Sequence, residues 1–347
     1  MENREANKRI VYYDILNIIS IIAVIAMHQN GIIHLNPMVR AWNTSLIVEC
    51  ICYFAVPVFL MITGATLMKY RDKYDTKTFF KKRFSKVLIP FLFWAAVMFC
   101  WKIIIRKSLS ITSAADLLNA FFKSKEEDTY YFMFIILGIY LIIPLLSHLT
   151  EEKHRKTMWY IVIVYFIINS TIAPLLRLAK IEWNMNFSIV IGNYLIFVFL
   201  GYLLSTEDIE KKKRLIIYIG AVLGLIYRYG ITYVLSKSTG KVDQTTWGYQ
   251  TWNSVLLAVS VFLAVKQLFK GQKYISDKTA KIIATISSCT FGVYLIHQIV
   301  RYYEVHIFHI NEYAWGWRTF GIILTYIISL SIVFIIKKIP ILKRIVP

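Results

Sequence analysis

A polytopic, all-α membrane helix bundle of about ten spans, with both termini on the cytoplasmic side, is the fold class this sequence predicts, and three observations predict it. Of 347 residues, 57% are hydrophobic and only 17% charged, with a mean hydropathy of +0.55, more apolar than a soluble domain needs to close one core. Ten apolar stretches, each long enough to cross about 30 Å of hydrocarbon as a helix, are separated by short polar connectors. With the N-terminus inside, 27 of the 40 Lys and Arg residues fall in inner segments, the bias that orients membrane helices.

The first span, 10–30, reads "RIVYYDILNIISIIAVIAMHQNG" with its flanks. Its apolar run exceeds the core of a signal peptide, has no small-residue cleavage pattern and precedes nine more spans, so it is expected to stay as the first helix. Next come 46–68, then 87–105, which ends on Lys102 and Arg106, then 130–149, which opens on Tyr130 and Tyr131. Spans 157–176, 187–204, 215–235, 252–269, 282–303 and 318–336 complete the set. The net charge of +20 is accounted for by inner connectors such as the basic loop 69–86 facing anionic lipid. No soluble basic stretch is long enough to bind nucleic acid. The cysteines, Cys50, Cys52, Cys100 and Cys289, lie in apolar segments at spacings that suit neither zinc nor a disulfide framework, and read as small core residues. No Gly-rich phosphate loop, internal repeat or soluble domain is evident, so residues 1–347 are expected to form one transmembrane domain.

Chemistry concentrates in the first span, because an ionisable group inside a membrane helix is expensive to keep there. Asn17 and His28 are eleven residues apart, which places them about 20° apart around the axis and about 16 Å apart along it. Asp14 lies about 40° from His28 on the same stripe, nearer the cytoplasm. Asp14 also reads as a snorkelling or capping acid, and His28 as a solvated interfacial residue. A neutral imidazole can instead take a proton from a hydroxyl and return it to a leaving group. Composition does not choose between these readings.

Several segments, in order, resemble the membrane-bound acyltransferase 3 family: Asp14, position 17 and His28 in the first helix; "VPVFLMITGATLM" (56–68); "FFKKRFSKVLIPFLFW" (79–94); "YYFMFIILGIYLIIPLL" (130–146); "GNYLIFVFLGYLL" (192–204); and "SSCTFGVYLIHQIV" (287–300). The likeness covers nearly the whole chain. It departs at Asn17, where that family often has an arginine. The resemblance implies transfer of an acyl group, usually acetyl, from cytoplasmic acyl-CoA to a hydroxyl of a cell-surface carbohydrate or glycan precursor, in a multi-pass bacterial plasma-membrane enzyme without a metal.

On that reading His28 is the general base near the outer face, and acyl-CoA is bound from inside. Cations for its phosphates would be Arg83 and Lys86, three apart on one helix face, and Lys82; Asp14 and Asn17 would lie at the donor end. The positive-inside rule accounts for the same cations. His297, in the outer half of its span, is a second catalytic candidate or a packing residue. Glu49, expected to begin the second helix at its outer end, would orient the imidazole. His306 and His309 have a metal-like spacing but no completing ligand nearby, and are assigned to the outer loop surface. Trp183, Trp247, Tyr249 and Trp252, among Asp243, Gln244 and Gln250, read foremost as an interfacial belt and secondarily as sugar platforms. Two other functions stay open: a transporter or flippase of lipid-linked saccharides, for which the sequence shows neither Gly/Pro-broken helices nor matching halves, and a membrane anchor without chemistry. The sequence names neither the acceptor nor the acyl group, nor the oligomeric state.

Overall fold

A computed structural model describes residues 9–181, 194–270 and 275–346. Among these, every regular element is helical. The order is α1 (Val11–Gln29), α2 (Arg40–Cys52), α3 (Ala55–Leu67), α4 (Thr76–Arg83), α5 (Ile89–Cys100), α6 (Ala114–Phe122), α7 (Tyr131–Leu146), α8 (Arg155–Tyr165), α9 (Ala173–Leu178), α10 (Leu195–Thr206), α11 (Lys211–Thr239), α12 (Trp252–Phe269), α13 (Asp277–Ser288), α14 (Thr290–Ile307) and α15 (Trp315–Lys338). Among the described residues, eight helical runs are long and apolar enough to span a bilayer, including α2 with α3, α4 with α5, and α8 with α9. A ninth, α13 with α14, is bent by 53°. The sixth expected span is represented by α10, and its residues 187–193 lie outside the described residues.

Most spans start earlier than their apolar pattern, the second and third by the most. The second begins at Arg40 rather than 46, and the third at Thr76 rather than 87. Apolar runs mark hydrocarbon, whereas a helix continues into the interface wherever its first turn is capped. Asp75 accepts a hydrogen bond from the Thr78 amide at 3.0 Å and starts α4, so most of the expected basic loop 69–86 is helix. The short amphipathic α6, capped by Ser113, was not among the expected elements.

Prolines shape the long runs. Pro90 and Pro174 lack the amide that a helix interior needs, and each follows a wide π-helical turn, Phe84–Leu88 and Phe166–Ile172, which absorbs the missing bond. At the far end of α11, Gly240 adopts φ +68° and closes the helix in the left-handed conformation that glycine permits.

The hub of the bundle is α1, which packs against α2, α3, α12, α13, α14 and α15. A helix that is apolar over most of its surface, with the small residues Ser20, Ala23 and Ala26, admits close neighbours on several sides. Its outer end is fixed by a polar clip. Asn30 donates to the Arg318 carbonyl at 3.0 Å, Ser45 donates to Asn30 Oδ1 at 3.0 Å, and Arg318 donates to Ala41 O, Thr44 Oγ1 and Ser45 Oγ at 3.1, 2.6 and 3.0 Å. The closest helix contact is α3 on α10, where Gly64 lies against the Val198 backbone and Gly201 against the Met61 backbone. Cys50 and Cys289 are buried and Cys52 half-buried, but Cys100 is exposed on α5, so it is not the core residue its apolar surroundings suggested.

Candidate active site

Because α1 packs against α14, His28 meets His297, with ring centroids 5.4 Å apart and planes inclined by 38°. His297 Nδ1 lies 2.7 Å from the Tyr294 carbonyl. That contact assigns the proton to Nδ1 in the neutral ring and leaves Nε2 as an acceptor, buried and without a hydrogen-bond partner. His28 opens onto a cavity of about 260 Å³, whose wall also includes Glu49, His34, Thr129, Tyr131, Tyr249 and Tyr294. Glu49 is in the interior of α2 rather than at its start, because the helix begins at Arg40. It still faces the cavity that His28 faces.

Behind Glu49 stands a group that sequence reasoning missed. Arg228, from the middle of α11, is 1% exposed and lays its guanidinium 3.3 Å from the Tyr53 ring centroid, with Nη1 donating to Ser254 at 3.4 Å. A buried arginine in an apolar span was itself a readable signal. Tyr53 in turn stacks on Tyr249, with centroids 4.3 Å apart at 18°. Trp247 is buried and donates from Nε1 to Thr232 at 3.1 Å. Trp247 and Tyr249 are therefore cavity and core residues, not an interfacial belt: the 240–251 connector folds inward over α2 and α11. Trp252 packs on Tyr227, with centroids 5.1 Å apart, and Trp183 lies outside the described residues. His34, in the turn after α1, was also missed; burial pushes its imidazole below the ordinary histidine range.

At the other end of the bundle, Arg83 and Lys86 line a second cavity of about 390 Å³. Arg83 lies 5.6 Å over the Tyr140 ring, and its Nε is buried without a hydrogen-bond partner. Between the two cavities is a third, of about 180 Å³, lined by Asn17, Ser287, Ser288, Thr290 and Phe291. Phe59 and Phe132 border all three, with ring centroids 6.1 Å apart. Asn17 borders the lower two and Tyr294 the upper two.

The remaining candidates lie elsewhere. Lys82 sits 3.7 Å over the Tyr74 ring rather than among the residues lining these cavities. Asp14 is held by Arg9 in a two-pronged ion pair at 2.6 and 2.7 Å and borders none of the three. Its carboxylate is thereby matched by a cation of its own helix entry. His306 is exposed and stacks on Tyr302, and His309 is exposed in a turn with φ +49°. Among the described residues, no group of three His, Cys, Asp or Glu side chains converges as a metal site would.

This arrangement can deprotonate a hydroxyl at one end and hold an anion at the other. A model of the acyltransferase domain family, acyltransferase 3, matches residues 10–334 of the chain. Among curated proteins the chain is similar to glucans biosynthesis protein C of Salmonella paratyphi B and of Salmonella agona, each 21% identical over 334 residues, 89% of this chain and 86% of the relative. The same protein of Salmonella gallinarum is 20% identical over the same coverage. No solved structure matches the chain.

Proposed function

The chain belongs to the acyltransferase 3 family, and from that premise we propose that it moves an acyl group, acetyl in the first instance, from cytoplasmic acyl-CoA to a hydroxyl of a cell-surface carbohydrate or glycan precursor in a bacterial plasma membrane. One observation carries the reading: three adjoining cavities run from Arg83 and Lys86 at one end to His28 and Glu49 at the other, where the His297 ring stands beside His28. A long donor with an anionic head and a reactive thioester tip fits such a row. The printed name of the relatives, glucans biosynthesis, supports a carbohydrate acceptor.

In the reaction, His28 accepts the proton of the acceptor hydroxyl as its oxygen attacks the thioester carbonyl. The tetrahedral oxyanion is stabilised by hydroxyl donors of the wall, of which Tyr131 and Tyr249 are nearest in kind. Collapse expels the CoA thiolate, which takes the proton back from His28. Glu49 stabilises the imidazolium while it exists, and the His297 ring packs beside it. The test is acyl transfer from labelled acyl-CoA in membranes carrying His28→Ala at normal expression. Loss of at least about 100-fold is expected for a positioned acid/base group, and retained activity overturns the assignment.

A second reading has one observation in its favour. The break between α13 and α14 is the kind of discontinuous helix on which transporters build binding sites. A transporter or flippase predicts that acyl-CoA neither binds nor is consumed.

A further inference from the structure

The break at Cys289 has a consequence for the middle cavity. Helix α13 ends at Ser288 and α14 starts at Thr290, so the first turn of an 18-residue helix opens beside the cavity that Ser287, Ser288 and Thr290 line. Amides of a first helical turn have no acceptor within their own helix, and the Cys289 side chain does not cap them. Thr290 is 7% exposed, and its hydroxyl has no hydrogen-bond partner. Across the cavity, Asn17 donates to Ser287 Oγ at 3.4 Å, a weak bond that an arriving ligand can replace. Lys337 donates to the Ser288 carbonyl and hydroxyl at 2.8 and 3.2 Å and holds the break in place.

We propose that Thr290 and the N-terminal turn of α14, with Asn17 and Ser287 beyond them, form a polar collar that takes the farther amide and the adjoining hydroxyl of the pantetheine arm of the acyl-CoA donor. The assignment rests on the acyl-CoA reading above and extends it to a site of its own. Each amide of the arm has one donor and one acceptor. The collar offers both: helix amides and hydroxyl hydrogens for the carbonyl oxygen, and the Asn17 and hydroxyl oxygens for the N–H group. Its reach agrees as well. Thr290 precedes His297 by seven residues, about 10 Å of helix. An extended arm spans about 10 Å from its sulfur to its farther amide carbonyl, at ordinary bond lengths. A thioester at the histidine pair therefore leaves the farther amide at Thr290 and the phosphates beyond it, toward Arg83 and Lys86. A donor lacking amides, such as a prenyl phosphate ester, would leave the collar unmatched.

The experiment is displacement of labelled acetyl-CoA from the purified full-length protein by three probes: CoA, pantetheine, which has the amides without the nucleotide, and adenosine bisphosphate, which has the phosphates without the amides. Thr290→Val and Ser287→Ala each remove one hydroxyl at almost constant volume, and their thermal unfolding is recorded alongside. Each is expected to weaken CoA and pantetheine by about three- to ten-fold, the worth of one neutral hydrogen bond, with adenosine bisphosphate unaffected. Arg83→Gln is expected to weaken adenosine bisphosphate and CoA instead. Unchanged pantetheine displacement in both hydroxyl variants overturns the collar while leaving the donor reading intact. Absence of acetyl-CoA binding to the wild-type protein overturns both.

Discussion

Replacing Gly201 by alanine tests the tightest helix contact in the molecule. A methyl group at Gly201 would fall far inside van der Waals contact with the Met61 carbonyl oxygen, carbonyl carbon and Cα, and one at Gly64 would meet the same three atoms of Val198. All are main-chain atoms that no rotamer change can move, so α3 and α10 must separate by about 1 Å or more; a gap of that size already forfeits a quarter to a half of each dispersion contact. Buried Leu60, Met61, Phe197, Val198 and Leu204 share that loss. Overpacking costs about 1–3 kcal/mol in ordinary cores, and collision with main-chain atoms puts Gly201→Ala at the upper end, about 3 kcal/mol. Thermal unfolding in detergent should fall by several degrees. Transfer should fall with it, because α3 also carries Val56, Phe59 and Thr63 of the cavity walls. Gly64→Ala should behave alike, and the double variant should cost less than the two together, since one separation relieves both contacts. Gly230→Ala is the control: nothing lies within 4 Å of the added methyl, so the better helix propensity of alanine should leave stability unchanged or raise it by up to about 1 kcal/mol. Unfolding of Gly201→Ala at or above the wild-type temperature would refute the reasoning.

Arg228→Met should destabilise the protein by about 3 kcal/mol, because the buried Glu49 loses the cation whose charge bears on it; adding Glu49→Gln should recover part of that loss in a double-mutant cycle of unfolding midpoints. Glu126 is fully buried in the connector before α7, neither carboxyl oxygen has a hydrogen-bond partner, and burial raises its pKa to about 7. The folded state therefore favours the protonated acid, so stability is full below the ordinary value of 4.5 and declines as pH rises toward about 7. Glu126→Gln should flatten that slope in unfolding midpoints taken across the same window. Phe132→Ala removes one of the two rings that border all three cavities and should shift donor preference toward longer acyl-CoAs, read as the ratio of octanoyl to acetyl transfer.

Much of this architecture was legible along the chain. Apolar length located the helices, and the polar stripe Asp14, Asn17 and His28 marked α1 as interior. Helix ends and the small α6 were less legible, because capping and amphipathic packing depend on a few polar atoms rather than on hydropathy. The stripe also proved divisible: three residues within about 60° of one another on α1 serve different surroundings, with Asp14 on Arg9, Asn17 at the middle cavity and His28 at the upper one. Periodicity assigns a face and does not say what the face meets at each level. Arg228 was overlooked for a related reason, since an isolated arginine in a span shows a buried partner must exist without identifying it.

The sequence by itself determined that the chain is a membrane helix bundle whose first span carries a polar stripe, since hydrocarbon tolerates only saturated helices and polar groups turned inward. Tertiary structure alone decided that His297 stands beside His28, that the 240–251 connector folds inward to line the cavity, and that the ninth span breaks at Cys289. Those features depend on which helices touch at which height. Side-chain volume and backbone approach, as at Gly64 and Gly201, fix that height, and neither is periodic in the sequence.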